Sequence, residues 1–129
     1  MVTTSWAAGT PATTRLFDVA ALRRGIERGD VEALAALYDE DATLEVIDTT
    51  TPPSAPRVLR GVRAIRRFHD DISCRDMDHR LEHVIVDARG AAFLERCEYP
   101  DGPRVAVAST MELRRGRITR QVLVQSWDG

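Results

Sequence analysis

The chain contains no lysine; all 18 of its basic residues are arginine. That excludes a lysine Schiff base and a lysine general base. Asparagine is also missing, so no side chain of that type can contribute to an oxyanion hole. Only two cysteines occur, Cys74 and Cys97. They are too few for a disulfide framework, and a reducing, cytoplasmic location is the simplest expectation. No run approaches the ~18 apolar residues of a membrane span. The chain does not open on a basic stretch leading into an apolar one, so no secretory leader is expected. The net charge of −2 is spread along the sequence. Neither nucleic acid nor an anionic membrane is expected as a partner.

What is present fits one domain. A chain of 129 residues buries roughly two-thirds of its unfolded surface, enough for one core. Residues 1–14 are rich in Thr, Ala, Gly and Pro and lack periodicity, so they read as a flexible tail before a domain at 15–129. Thr13 or Thr14 is positioned to cap a helix in which Leu16, Val19, Ala20 and Ile26 share a face. Gly29 ends it and Asp30 caps a second helix, Val31–Tyr38, with Leu34, Leu37 and Tyr38 on one side.

Asp41–Asp48 has the β-branched, alternating character of a strand. Pro52, Pro53 and Pro56 make 49–60 a loop. Gly61 opens a third helix with Val62, Ile65 and Phe68 inward, fading near Ser73. His69-Asp70-Asp71 near its end reads as a solvated helix terminus, although acids there oppose the helix dipole.

Beyond Met77 the period becomes two. His79–Asp87, Ala91–Tyr99, Arg104–Arg114 and Arg117–Trp127 read as strands joined by short Gly-containing turns. Helices first and a meander after them predict an α+β fold. The strands are apolar at both phases: Val105, Val107, Met111 and Leu113 alternate with Ala106 and Ala108. A sheet with one wet face alternates more cleanly. Both faces are therefore expected to be covered, one by helices and the other by a second subunit.

GDVEALAALYDEDATLEV, then RGVRAIRRFHDD, then strands ending GRITRQVLVQSWD resemble the SnoaL-like group of the nuclear transport factor 2-like superfamily, over about residues 15–128. The resemblance implies a cystatin-like α+β cone: a conical barrel whose curved, mostly antiparallel sheet wraps around N-terminal helices, with a ligand in the mouth. It also implies frequent dimerisation through the outer sheet face. It does not fix an activity. Where ketosteroid isomerases of this group carry a catalytic Asp, an oxyanion-hole Asp and a Tyr, this chain has Val46, Ser109 and Leu22. Where limonene epoxide hydrolases carry Arg-x-Asp, it has Arg96-Cys97-Glu98, but their second acid corresponds to Leu123 and their Tyr and Asn to Leu44 and Val46. His79 matches a strand histidine of the scytalone dehydratase type, which orients His79 and Arg96 into the cone.

The candidate site follows from that orientation. Arg96 and Glu98 stand two apart on a strand and so share a face. In a pocket wall the Arg would bind an oxyanion and the Glu would move a proton; on a solvated face they would form a surface ion pair. His79 is a candidate acid or base, or a hydrogen-bonded strand histidine. His83 shares its phase and lies deeper, as a pocket hydrogen-bonding group. On a strand, four residues separate the two histidines by roughly 13 Å, too far for one ion, so no metal is expected, and no cofactor motif occurs. Cys97, on the opposite phase from Arg96 and Glu98, reads as packing.

Asp48 lies two residues beyond Val46 and reads as a shifted base at the mouth or as a turn-forming Asp. Leu123, Gln125 and Trp127 line one inward phase, with Ser109 adding a hydroxyl; Trp127 also reads as a core residue or dimer contact. Two functions follow. One is a cofactor-free acid/base enzyme (cyclase, isomerase, dehydratase or epoxide-hydrolase-like) acting on a hydrophobic, oxygenated small molecule. The other is a non-catalytic binding or assembly module.

Overall fold

The computed structural model describes residues 16–128. The expected tail at 1–14, with its Thr13 and Thr14 caps, lies outside them. Within the described residues, three helices and six strands follow in the order α1 (Val19–Arg28), α2 (Val31–Ala35), β1 (Tyr38–Ile47), β2 (Arg57–Arg60), α3 (Val62–Ser73), β3 (Asp78–Val86), β4 (Gly90–Glu98), β5 (Arg104–Arg114) and β6 (Arg117–Trp127).

Local chemistry sets the helix ends. The cap of α1 is Asp18, whose carboxylate accepts from the Ala21 N–H at 3.0 Å. Leu16 precedes the helix and is 77% exposed, so it is not part of the inward stripe. Gly29 ends α1 with φ 69°, a left-handed turn that other residues rarely adopt. Asp30 caps α2 through the Ala33 N–H. That helix stops at Ala35, short of the expected Tyr38, which instead opens β1. Leu34, Leu37 and Tyr38 are nevertheless all buried. Gly61, at φ 86°, starts α3 while its N–H reaches the Ala42 carbonyl of β1 at 2.8 Å. Among the described residues the longest helix is α3, with 12 residues, against 10 in α1.

The strands form one sheet in the order β2-β1-β6-β5-β4-β3. The four-strand meander is antiparallel throughout, and β1 joins β6 in parallel. The sheet is open, with β2 and β3 at its edges. The short β2 arises inside the proline-containing segment expected to be all loop. One sheet face packs on the helices: α1 contacts β3, and α3 contacts β1 and β2. Leu44, Val46, Ile65, Phe93, Val107 and Leu123 fill the space between the layers. No described helix is long and apolar enough to cross a membrane.

Candidate functional site

The inward face of the sheet and the helices enclose a cavity of about 210 Å³. Its apolar wall includes Ile26, Leu34, Phe68, Val107, Leu123 and Trp127, and its polar groups include His69, His79, Glu95 and Gln125. Trp127 stacks on Tyr99, with ring centroids 6.3 Å apart and planes at 30°. The expected inward phase of β6, Leu123-Gln125-Trp127, does line the cavity.

The polar centre comes from the β3–β4 ladder. His79 pairs with Cys97 and Leu81 with Glu95. Residues opposed in a ladder share a face, so His79, Glu95 and Cys97 all point inward. His79 Nδ1 lies 2.7 Å from Glu95 Oε2, with the two side chains 11% and 13% exposed. Cys97 Sγ lies 3.3 Å from the same nitrogen and 3.2 Å from Glu95 Oε2. Burial, with the Glu95 carboxylate beside it, pushes the Cys97 thiol well above its ordinary range. Sulfur and carboxylate both meet one imidazole nitrogen, so the ring does not relay between them as in a nucleophilic triad. With its thiol protonated, Cys97 is a poor nucleophile.

The edge strand β3 is tied down from above. Glu27 of α1 accepts the Leu81 N–H at 2.9 Å and Arg23 at 3.1 Å. A carboxylate thus satisfies a strand N–H that has no further strand beside it among the described residues.

A second polar chain runs through the core. Gln121 Nε2 donates to Ser109 Oγ at 2.7 Å, and Tyr38 donates to Gln121 Oε1 at 2.5 Å. Tyr38 Oη also lies 3.0 Å from His69 Nε2. With the phenol proton committed to Gln121, His69 donates from Nε2 and keeps Nδ1 as an acceptor. Burial lowers the His69 pKa to about 4 and raises that of Tyr38. His69 is therefore a neutral wall of the cavity and not part of a solvated helix end.

Several expected positions differ. Arg96 and Glu98 project from the outer face, 55% and 53% exposed, where Arg96 pairs with Glu82 and Glu98 with Arg104. The inward phase of β4 is Ala91, Phe93, Glu95 and Cys97. His83 is exposed and has φ 51°, at an irregularity between Glu82 and Ile85 that adds a residue and turns it away from the phase of His79. Asp48 closes a turn. Its Oδ1 accepts from the N–H and hydroxyl groups of both Thr50 and Thr51. Partial burial opposes ionisation, but those bonds hold the carboxyl below its ordinary range. Ser109 is buried, is not among the residues lining the cavity, and accepts from Gln121. Glu95 was missed by sequence reasoning. Its signal was its place as the sole charge on a phase otherwise holding Phe93 and Cys97.

The sequence profile of the SnoaL-like domain matches residues 19–121. The chain belongs to the SnoaL-like family. No protein of curated function matches it. Among solved structures it is similar to an NTF-2 like protein of unknown function from Burkholderia xenovorans LB400, at 17% identity over 84% of this chain and 79% of that one, with a TM-score of 0.70. It is also similar to a protein with a cystatin-like fold from Silicibacter pomeroyi DSS-3, at 15% identity over 83% and 72%, with a TM-score of 0.66. A third is SalBIII, an epoxide hydrolase/cyclase-like enzyme in pyran ring formation in the polyether salinomycin, at 22% identity over 85% and 87%, with a TM-score of 0.63. These likenesses show an NTF2-like, cystatin-like fold.

Proposed function

We propose that this SnoaL-like protein binds a hydrophobic, oxygenated small molecule in the cavity and that the His79–Glu95 pair moves a proton on it without a cofactor. The observation that carries the reading is the 2.7 Å contact between two nearly buried side chains on a cavity wall of mixed apolar and polar residues. Paired groups of this kind hold and release a proton where water is scarce. Gln125 is placed to orient an oxygen of the ligand, and Trp127 to cover an apolar part. Cyclisation, isomerisation, dehydration and epoxide opening each need such a proton transfer. The chemistry of SalBIII, as an epoxide hydrolase/cyclase-like enzyme, lends the last of these weight.

A second reading, ligand binding without turnover, draws support from the apolar residues Val46, Leu22 and Leu123 at the positions where catalytic relatives carry polar groups; all three are buried. Thermal-shift screening against polyketides, steroids and terpenoid epoxides separates the two. Conversion of a stabilising compound supports catalysis. A compound that stabilises and is recovered unchanged supports binding alone.

The outer sheet face is proposed to join two copies of the chain. Ala92, Leu94, Ala108, Val122 and Val124 form an open apolar patch there, and Val124 is 45% exposed. A cytoplasmic location remains part of this reading, supported by two unpaired cysteines.

A further inference from the structure

His79, Glu95 and Cys97 present three different ligand atoms, all within 4.8 Å of one another, on one wall of the cavity. The residues come from two adjacent strands fixed in register, so the backbone sets the spacing of the three atoms. The triangle has edges of 2.7, 3.2 and 3.3 Å. A tetrahedral zinc ion, with bonds of about 2.0–2.1 Å to N and O and about 2.3 Å to S, spaces its ligand atoms by roughly 3.3–3.6 Å. Both edges to sulfur are therefore within about 0.3 Å of what such an ion requires. The third is held short by a hydrogen bond and needs to open by about 0.6 Å, a change within reach of the Glu95 side-chain torsions.

We propose that His79 Nδ1, Glu95 Oε2 and Cys97 Sγ form a binding site for a soft divalent cation of the zinc class, with its fourth position facing the cavity. Charge supports the assignment. A thiolate, a carboxylate and a neutral imidazole around a divalent ion sum to zero, the arrangement that burial penalises least. Binding releases the thiol proton to solvent and moves the imidazole proton to Nε2, which frees Nδ1 to coordinate. The donor set selects among ions: sulfur and imidazole favour zinc and cobalt, whereas magnesium and calcium prefer all-oxygen cages.

The proposal shares residues with the proton-transfer reading but does not rest on it. The bound ion and the His79–Glu95 proton exclude each other, because both need Nδ1 and Oε2. Zinc would therefore inhibit a reaction run by the pair.

Cobalt(II) titration of the reduced protein tests the site without any substrate. Thiolate coordination produces a sulfur-to-cobalt charge-transfer band, and tetrahedral geometry produces intense visible bands. Both are expected to saturate at one equivalent, to be displaced by zinc and to be unaffected by magnesium. Cys74→Ser removes the exposed cysteine and should leave the spectrum unchanged. Cys97→Ser should abolish the charge-transfer band, and His79→Ala should weaken cobalt binding by about 100-fold or more. Absence of the band in the wild-type protein overturns the proposal, whatever the folding of the variants. So does a band that survives Cys97→Ser. Turnover by chelator-treated protein tests the proton-transfer reading separately.

Discussion

Glu95 Oε2 lies 2.7 Å from His79 Nδ1 although the two residues are not directly paired: His79 faces Cys97 across the ladder, and Glu95 faces Leu81. The contact is a diagonal one, within reach of long side chains on neighbouring strands. It places the one carboxylate of the inward β4 phase against the one imidazole of the inward β3 phase. Proton chemistry in the cavity depends on that diagonal.

Removing the Tyr38 hydroxyl should expose how tightly the second polar chain is built. In Tyr38→Phe, Gln121 Oε1 and His69 Nε2 both lose a partner at a buried or part-buried site. Leaving such groups unsatisfied costs about 1–3 kcal/mol. Urea denaturation should show a loss in that range with the slope unchanged. A variant as stable as the wild type would mean that the chain contributes nothing.

The pH dependence of stability should carry a His69 component. Its folded pKa is about 4 because of burial, below an ordinary value of 6.5. The unfolded chain therefore takes up a proton in the window where the folded protein does not. Stability from the neutral ring is full above pH 6.5, falls as the pH drops towards 4, and loses no more below that. The loss should be about 2–3 kcal/mol, discounted for partial exposure of the ring. Denaturation midpoints of wild type and His69→Gln should converge between pH 7 and pH 4. Parallel curves would contradict the assignment.

Gly25 carries the contact between α1 and α2. A Cβ at this position would lie 2.7 Å from Leu34 Cβ and 3.1 Å from its Cδ1. Alanine would gain about 1 kcal/mol of helix propensity but overpack the contact by about 1–3 kcal/mol. Gly25→Ala should therefore lower the melting temperature, by differential scanning calorimetry, where propensity alone would raise it.

The outer-face patch makes a prediction about assembly. Val124→Glu would set a charge in an apolar patch beside Leu94 and Val122. If that face joins two subunits, light scattering should find a dimer for the wild type and a monomer for the variant, with similar circular dichroism. A wild-type monomer at micromolar concentration would remove the interface.

The course of the chain was largely legible in its letters. Gly29-Asp30, the Gly61 helix start and the Gly-containing turns state their geometry through local backbone chemistry. The phase of β4 was not legible in the same way. Ala92 and Leu94 make the outer phase nearly as apolar as the inner phase of Ala91 and Phe93, so hydrophobic contrast does not mark the inside. The resemblance-based register then placed Arg96 inward, and a one-residue offset inverts every side chain on a strand. The charges themselves held the answer: Arg96 and Glu98 pair with Glu82 and Arg104 on the wet face, while Cys97 between them is 5% exposed. His83 was lost to the irregularity after Glu82, which no alternation pattern announces. Asp48 closes its turn on Thr50 and Thr51, two of the three threonines that follow it. His69 looked solvated because its neighbours Asp70 and Asp71 are, yet it lies on the cavity side of α3.

The most direct measurement is turnover of a compound from the ligand screen by Glu95→Gln and Glu98→Gln side by side. Both variants remove one carboxylate from β4, but only Glu95 faces the cavity. Glu95→Gln should lower kcat by about 10²–10⁴-fold, the usual worth of a positioned acid or base, while Glu98→Gln should match the wild type. Undiminished turnover by Glu95→Gln, or loss of it in Glu98→Gln, would contradict the placement of the chemistry at the His79–Glu95 pair.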